Sequence, residues 1–156
     1  AGDALLVEPY LATVGLGAQF VARAGSAAQK KAILPAVVQG KLKMAFAHTE
    51  KGARYNLAKV EAQAKKSGGG WEISGEKFAV LSAPAADKLV VSANTEKGLS
   101  LFLVDSSSKD LNFGILVCFI GYRLCFWQKL LSSSFMSLAV MTRARPFPRY
   151  LKTMRM

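Results

Sequence analysis

No aspartate or glutamate follows Asp110 in this chain of 156 residues. The ten acids lie between Asp3 and Asp110 together with fourteen of the 21 lysines and arginines, a local net of +4. The other seven bases stand in the last 46 residues. The formal charge of +11 is therefore uneven, and it lacks the motifs of a nucleic-acid binder, so no nucleic-acid partner is expected. Cysteine is scarce: two residues exclude a disulfide scaffold. Cys118 and Cys125 have six residues between them and the chain holds a single histidine, which gives no zinc ligand set, so no metal is expected. Glycines follow no triplet period, which excludes collagen. The longest apolar run, from Leu111 to Tyr122, is shorter than the roughly 20 residues a membrane helix needs. No charged segment leads into an apolar one at the start, so no secretory signal is read and a cytoplasmic location is expected.

What is present divides near Leu111. Glu8 to Ala24 repeats apolar residues at helical spacing through Leu11, Val14, Ala18 and Val21. Gly25 stops that helix, and Ser26 with Gln29 forms a capping box for the next. Pro35 lacks an N–H and is expected to begin a new short turn. Gly40 closes the segment, and both helices are expected to bury most of their surface. The period then changes to two. Val60, Ala62 and Ala64 predict a half-buried strand, Gly68 to Gly70 a turn, and Trp71 with Ile73 the returning strand. Ser74 to Lys77 is expected to turn again, followed by strands over Phe78–Leu81, Leu89–Ala93 and Leu99–Val104. Helices followed by a run of strands point to α+β and against a Rossmann fold. Gly15-Leu16-Gly17 follows no strand and has Phe20 where a third glycine belongs.

Four stretches share an order and spacing. They are Gly25-Ser26-Ala27-Ala28-Gln29-Lys30 with Leu34-Pro35 and Gly40; Ala45-Phe46-Ala47-His48-Thr49-Glu50; Gly70-Trp71-Glu72-Ile73-Ser74-Gly75-Glu76-Lys77; and Ala86 to Ala93 with Leu101-Phe102-Leu103-Val104. Together, from about Glu8 to Asp110, they resemble the acyl-CoA dehydrogenases, which are FAD flavoproteins. The resemblance implies that residues 1–45 are the last helices of an N-terminal α-domain. It makes residues 46–110 the first half of an antiparallel middle β-domain, within a chain more than twice this length. The implied chemistry is α,β-dehydrogenation of an acyl-CoA thioester, with hydride passing to flavin N5 and a carboxylate taking the α-proton. That carboxylate has no counterpart here. Glu50 and Glu76 match structural positions, so no catalytic residue is expected in this chain and it is expected to be inactive alone. The implied partners are an acyl-CoA, an electron-transferring flavoprotein and sister subunits in a homo- or hetero-oligomer.

Position by position, the resemblance implies cofactor contacts at Phe46, His48 and Thr49, where main-chain groups and a hydroxyl meet the flavin pyrimidine edge. Read without it, His48 is either a proton shuttle or a strand residue whose backbone matters. Two departures stand out. After Thr49-Glu50 many members have Pro and then Gly-Ser-Asp, whereas this chain has Lys51-Gly52-Ala53-Arg54-Tyr55-Asn56. Arg54 offers a fork to a phosphate or is a surface arginine beside a packed Tyr55; both are taken as candidate substrate contacts. Arg-Tyr-Asn also resembles the branch acting on dicarboxylyl thioesters such as pimeloyl-CoA. Where the family often places Trp-x-Thr against the flavin, this chain has Ala79-Val80-Leu81. Leu81 offers N5 only a backbone N–H, and Ser82 stands one residue late.

The segment 111–156 is anomalous. It carries both cysteines, four of five methionines and no acid, where the family pattern would continue with alternating strands. Two readings are open: a shifted-frame or read-through translation beyond Asp110, or a basic apolar tail that binds an anionic membrane surface. On the second reading the protein is a non-catalytic, membrane-associated derivative of a dehydrogenase segment.

Overall fold

The computed structural model describes residues 9–54, 56–68, 70–108, 111–116, 125–130 and 139–141. A π-helix, Leu11–Gly17, continues into α1, Ala18–Ala24. The widened turn brings Gly17 so close to the sheet that a Cβ there would stand 2.5 Å from that of Met44. In the same turn, buried Thr13 uses its hydroxyl twice on one residue. It accepts the Met44 N–H at 3.1 Å and donates to the Met44 carbonyl at 3.2 Å. Gly25 and Ser26 then reset the chain, and the capping box forms as read: Gln29 N–H donates to Ser26 Oγ and Ser26 N–H to Gln29 Oε1.

Helix α2 runs Ala27–Val38, straight through Pro35, where a new turn was expected. Pro35 and Lys31 both lie on the exposed face, so water reaches the Lys31 carbonyl that the missing N–H leaves unpaired. The same exposure corrects a second expectation. Only Ile33 and Val37 of α2 are buried, and Val38 is 87% exposed. Gly40, at φ +70, ends the helix in the left-handed conformation that glycine adopts most readily.

Eight strands follow among the described residues: β1 (Met44–Ala47), β2 (Gln63–Ser67), β3 (Gly70–Phe78), β4 (Lys88–Thr95), β5 (Gly98–Asp105), β6 (Leu111–Leu116), β7 (Cys125–Leu130) and β8 (Ala139–Met141). Their order is β6-β7-β3-β2-β4-β5-β8, with β1 beside β4. The α+β class holds, but the sheet is mixed, because β1 and β2 both run parallel to β4. The expected turn at Ser74–Lys77 is absent. Strand β3 passes through it, and residues 79–82 form the turn instead. Gly75 is there for proximity: at φ +150, a Cβ would lie 2.6 Å from Ala62 Cβ and 2.8 Å from Ala62 Cα. Strand β2 starts at Gln63, three residues later than the alternation suggested. Strand β6 begins at the composition break, and β7 lies between β6 and β3.

Two apolar clusters hold these layers. One, around Val21, Ile33, Val37, Met44 and Val90, joins the helices to the sheet. The other, around Ile73, Val80, Leu89, Val91, Phe102 and Val104, fills the opposite face. Alternation along β4 sends Val90 to the first and Leu89 and Val91 to the second, as a period of two requires.

Candidate functional site

Strands β1 and β2 share one edge of β4, and a gap separates them. β1 ends opposite Val91, and β2 begins opposite Asn94. The chain leaves the sheet after Ala47, loops through 48–62 and returns. Ladder partners are lost at this split, and buried peptide groups need others. A polar cluster supplies them. Lys77, fully buried on β3, donates from Nζ to Glu50 Oε1 at 2.6 Å, Ser92 Oγ at 3.0 Å and the His48 carbonyl at 3.3 Å. The Glu50 carboxylate also accepts the N–H groups of Glu61 at 2.5 Å and Ala62 at 3.1 Å. His48 Nδ1 meets Ser92 Oγ at 2.9 Å, and its Nε2 meets the Leu57 carbonyl at 3.0 Å.

The electrostatics follow from this geometry. Burial alone would raise the Glu50 carboxyl, but the Lys77 hydrogen bond and the two amide donors hold it below its ordinary value. Burial lowers Lys77, against the Glu50 hydrogen bond and charge. Burial also lowers His48, and the Lys77 charge adds to it, outweighing the Leu57 carbonyl and Glu50. Glu50 thus ties Lys77 to the backbone that rejoins the sheet at Glu61 and Ala62.

Above the cluster lies a shallow cleft lined by Thr49, Glu50, Lys51, Arg54, Phe78 and Ala79. The Phe78 N–H donates to the Thr49 carbonyl at 2.7 Å, so the ends of β1 and β3 meet at its floor. Among the described residues three non-glycines adopt positive φ, and all are here or just beside it: Arg54 at 48°, Ala79 at 53° and Ser82 at 57°. Such conformations cost of order 1–3 kcal/mol each and gather at binding sites.

Thr49 and Arg54 therefore line one cleft. Thr49 is exposed, and its hydroxyl has no partner among the described residues. Phe46 and His48 lie behind it on the β1 line. Their rings stack at 5.3 Å, and Phe46 also packs on Phe20 at 4.3 Å. Since the Met44 peptide faces Thr13, away from β4, alternation turns the Phe46 N–H and carbonyl to that same outer edge. Leu81 and Ser82 are half-buried in the turn after Ala79 and are not among the cleft's lining residues. Tyr55 lies outside the described residues. Trp71 packs tilted against Phe102 at 5.5 Å, as a hairpin core aromatic should.

Lys77 and Ser92 were not singled out from sequence. A usable signal existed for the first: with β3 read through Gly75, Lys77 falls in phase with Ile73 on the inward face. Among the described residues, no cluster of metal-ligating side chains occurs. No helix among them is long and apolar enough to cross a membrane.

Comparison with known proteins accords with this geometry. The chain is 33% identical over 95 residues to a 3-(aryl)acrylate reductase of Clostridium sporogenes, covering 58% of this chain and 25% of that protein. It is 35% identical over 111 residues to the mitochondrial long-chain specific acyl-CoA dehydrogenase of Sus scrofa, covering 67% and 26%. A solved FAD complex of PigA superposes with a TM-score of 0.66 at 28% identity, over 74% of this chain and 32% of that one. The chain thus spans about a quarter of the length of these curated relatives. The model of the acyl-CoA dehydrogenase middle domain matches residues 45–130, which reaches past the composition break. With more than half its length inside that match, the chain belongs to the acyl-CoA dehydrogenase family.

Proposed function

We propose that this chain is the flavin-facing part of an FAD-dependent acyl-CoA dehydrogenase, with the cleft between the ends of β1 and β3 as the cofactor's seat. The observation that supports it most is convergence: Thr49 and Arg54, from the segment after β1, and Ala79, from the end of β3, line one opening. The donor set suits a flat heterocycle. Thr49 offers an unengaged hydroxyl, Phe46 an outward peptide edge, and the 79–82 turn backbone groups held by positive φ at both ends. When bound, FAD would supply the hydride acceptor for α,β-dehydrogenation. The chain's own residues bind and orient. Thr49, Phe46 and His48 would hold the ring edge, and Leu81 through its N–H and Ser82 through its hydroxyl would flank it. Arg54, with Tyr55, would meet the phosphate-bearing substrate, an acyl-CoA. No residue of this chain is assigned as the base, so turnover by the chain alone is not expected. Electrons would leave to an electron-transferring flavoprotein, from a homo- or hetero-oligomer of the full-length protein.

The domain reading goes with it: residues 1–45 as helical-domain end, 46–110 as part of the middle β-domain, and the acid-free segment as a frame-shifted or read-through translation whose support is composition. Sequencing the coding DNA past codon 110 and translating three frames tests that last point. A frame that resumes acid-containing alternating strands supports it; none that does returns the tail to this gene and favours the membrane reading.

Flavin fluorescence titration of the chain and of Thr49→Val tests the site. Saturable quenching, weaker in the variant, is expected. Equal, non-saturating signals would remove the cleft as the flavin seat. Tight stoichiometric flavin in the purified chain would instead contradict its incompleteness.

A further inference from the structure

The polar cluster in the split of the sheet has a direction. A carbonyl only accepts, so the contact with Leu57 requires the proton of His48 on Nε2. Nδ1 is then an acceptor, and its partner at 2.9 Å, the Ser92 hydroxyl, must donate to it. Ser92 Oγ in turn accepts from Lys77 Nζ, whose other two protons go to Glu50 and the His48 carbonyl. The donors run one way, from the Lys77 ammonium through Ser92 and His48 to Leu57, and each bond polarises the next.

Leu57 sits at the far end of the loop that carries Arg54. That loop is closed on itself by short turns: Ala53 N–H to the Glu50 carbonyl, Asn56 N–H to Ala53, and Lys59 N–H to Asn56. Lys59 Nζ also donates to the Gly52 carbonyl at 3.1 Å. These bonds hold the loop's shape. Two side chains of the sheet region reach the loop's backbone: Asn94 of β4 donates to the Val60 carbonyl where the loop rejoins the sheet, and His48 reaches Leu57, nearer Arg54. Ala53 and Val60 are buried on either side, but Leu57 is exposed, so its place rests on its carbonyl rather than on its side chain.

We infer that Ser92 and Lys77 are positioning residues: acting through the His48 imidazole, they latch the 51–60 loop, and with it Arg54, beside the cleft. The arrangement demands a neutral ring. A proton on Nδ1 would confront the Ser92 hydroxyl and turn it away, while the Lys77 charge opposes it and Glu50 favours it. What the latch does for a ligand rests on the proposed function; the latch itself does not.

His48 is the chain's single histidine, so its ring nitrogens are assigned without ambiguity by 15N NMR of the full chain. The Nε2-protonated tautomer is expected, with titration below the ordinary histidine value. Ser92→Ala removes the donor that favours the neutral ring, so titration should move up. Trypsin cleavage after Arg54 should quicken by about fivefold, the change that loss of one ordinary hydrogen bond makes in a local opening equilibrium. Ser92→Thr keeps the hydroxyl and should restore both readings. An Nδ1-protonated ring in the unaltered chain would overturn the latch, as would a Ser92→Ala variant with unchanged titration and cleavage. Neither readout involves flavin, so failure of the flavin titration leaves these outcomes separately legible.

Discussion

Two regions of this molecule invert the usual partition of residues, in opposite senses. At the split of the sheet a lysine, a glutamate and a serine are buried. On the outer face of α2, Pro35 and Val38 are exposed among Ala27, Lys30 and Lys31. The buried polar groups are fully accounted for: each proton of Lys77 has an acceptor, and the carboxylate closes two amides that the ladder abandons. The exposed apolar groups have no such accounting within the described residues. The difference teaches that burial of charge here answers a backbone demand created by topology, whereas the α2 surface makes little contribution to this unit's own stability.

The sharpest way to break that contrast is at Lys77. Lys77→Met strands the Glu50 carboxylate, and a loss of about 3–5 kcal/mol in urea unfolding is expected. Adding Glu50→Gln should recover part of it, because the uncompensated charge is gone. Gly75→Ala tests the same region through space rather than charge. Its methyl would press on Ala62 backbone, and about 1–3 kcal/mol should be lost. On α2 the effects shrink. Ser26→Ala removes the cap acceptor and should cost about 1 kcal/mol, read as a lower unfolding midpoint.

The acid dependence of stability sharpens the interior side further. His48 and Glu50 both have lowered folded values, so the unfolded chain binds protons first. Their contributions are present above the unfolded values of 6.5 and 4.5 and are lost as pH falls through the lower folded ones. Urea titrations at stepped pH should show stability declining below 6.5 and again below 4.5, and His48→Phe should erase the upper step alone. Smallest of all, Val38→Ser should change stability by no more than about 0.5 kcal/mol. A larger loss would mean that the outer face of α2 is covered in solution.

Much of the local structure was legible because its causes are local. The Ser26–Gln29 box, the stop at Gly40 and the hairpin through Gly68 each depend on a few neighbouring residues. The errors fell where distant groups decide. Ser74-Gly75 carries turn chemistry, yet Gly75 serves the approach of Ala62, thirteen positions away, and no local pattern announces that. Pro35 reads as a break, yet its lost bond faces water and the helix continues. The parallel pairings depend on β1 and β2 sharing one edge of β4, which no strand's own pattern encodes. For the site, resemblance marked Thr49 and a departure from the family pattern marked Arg54, and the fold brings both to one cleft. It did not mark Lys77 or Ser92, because their importance arises from the split in the sheet.

Thr13 has a consequence outside the cleft. Among the described residues strand β1 pairs on one side only, and such an outer edge is an invitation to any passing strand. The Thr13 hydroxyl, by taking both the N–H and the carbonyl of Met44, imitates a neighbouring strand for one residue and closes the edge where the chain enters the sheet. The π-helical turn is what lets it reach. The helical layer therefore acts as a stopper against misassembly: cut away the residues before Lys43, and the same sheet acquires a docking edge for its own copies.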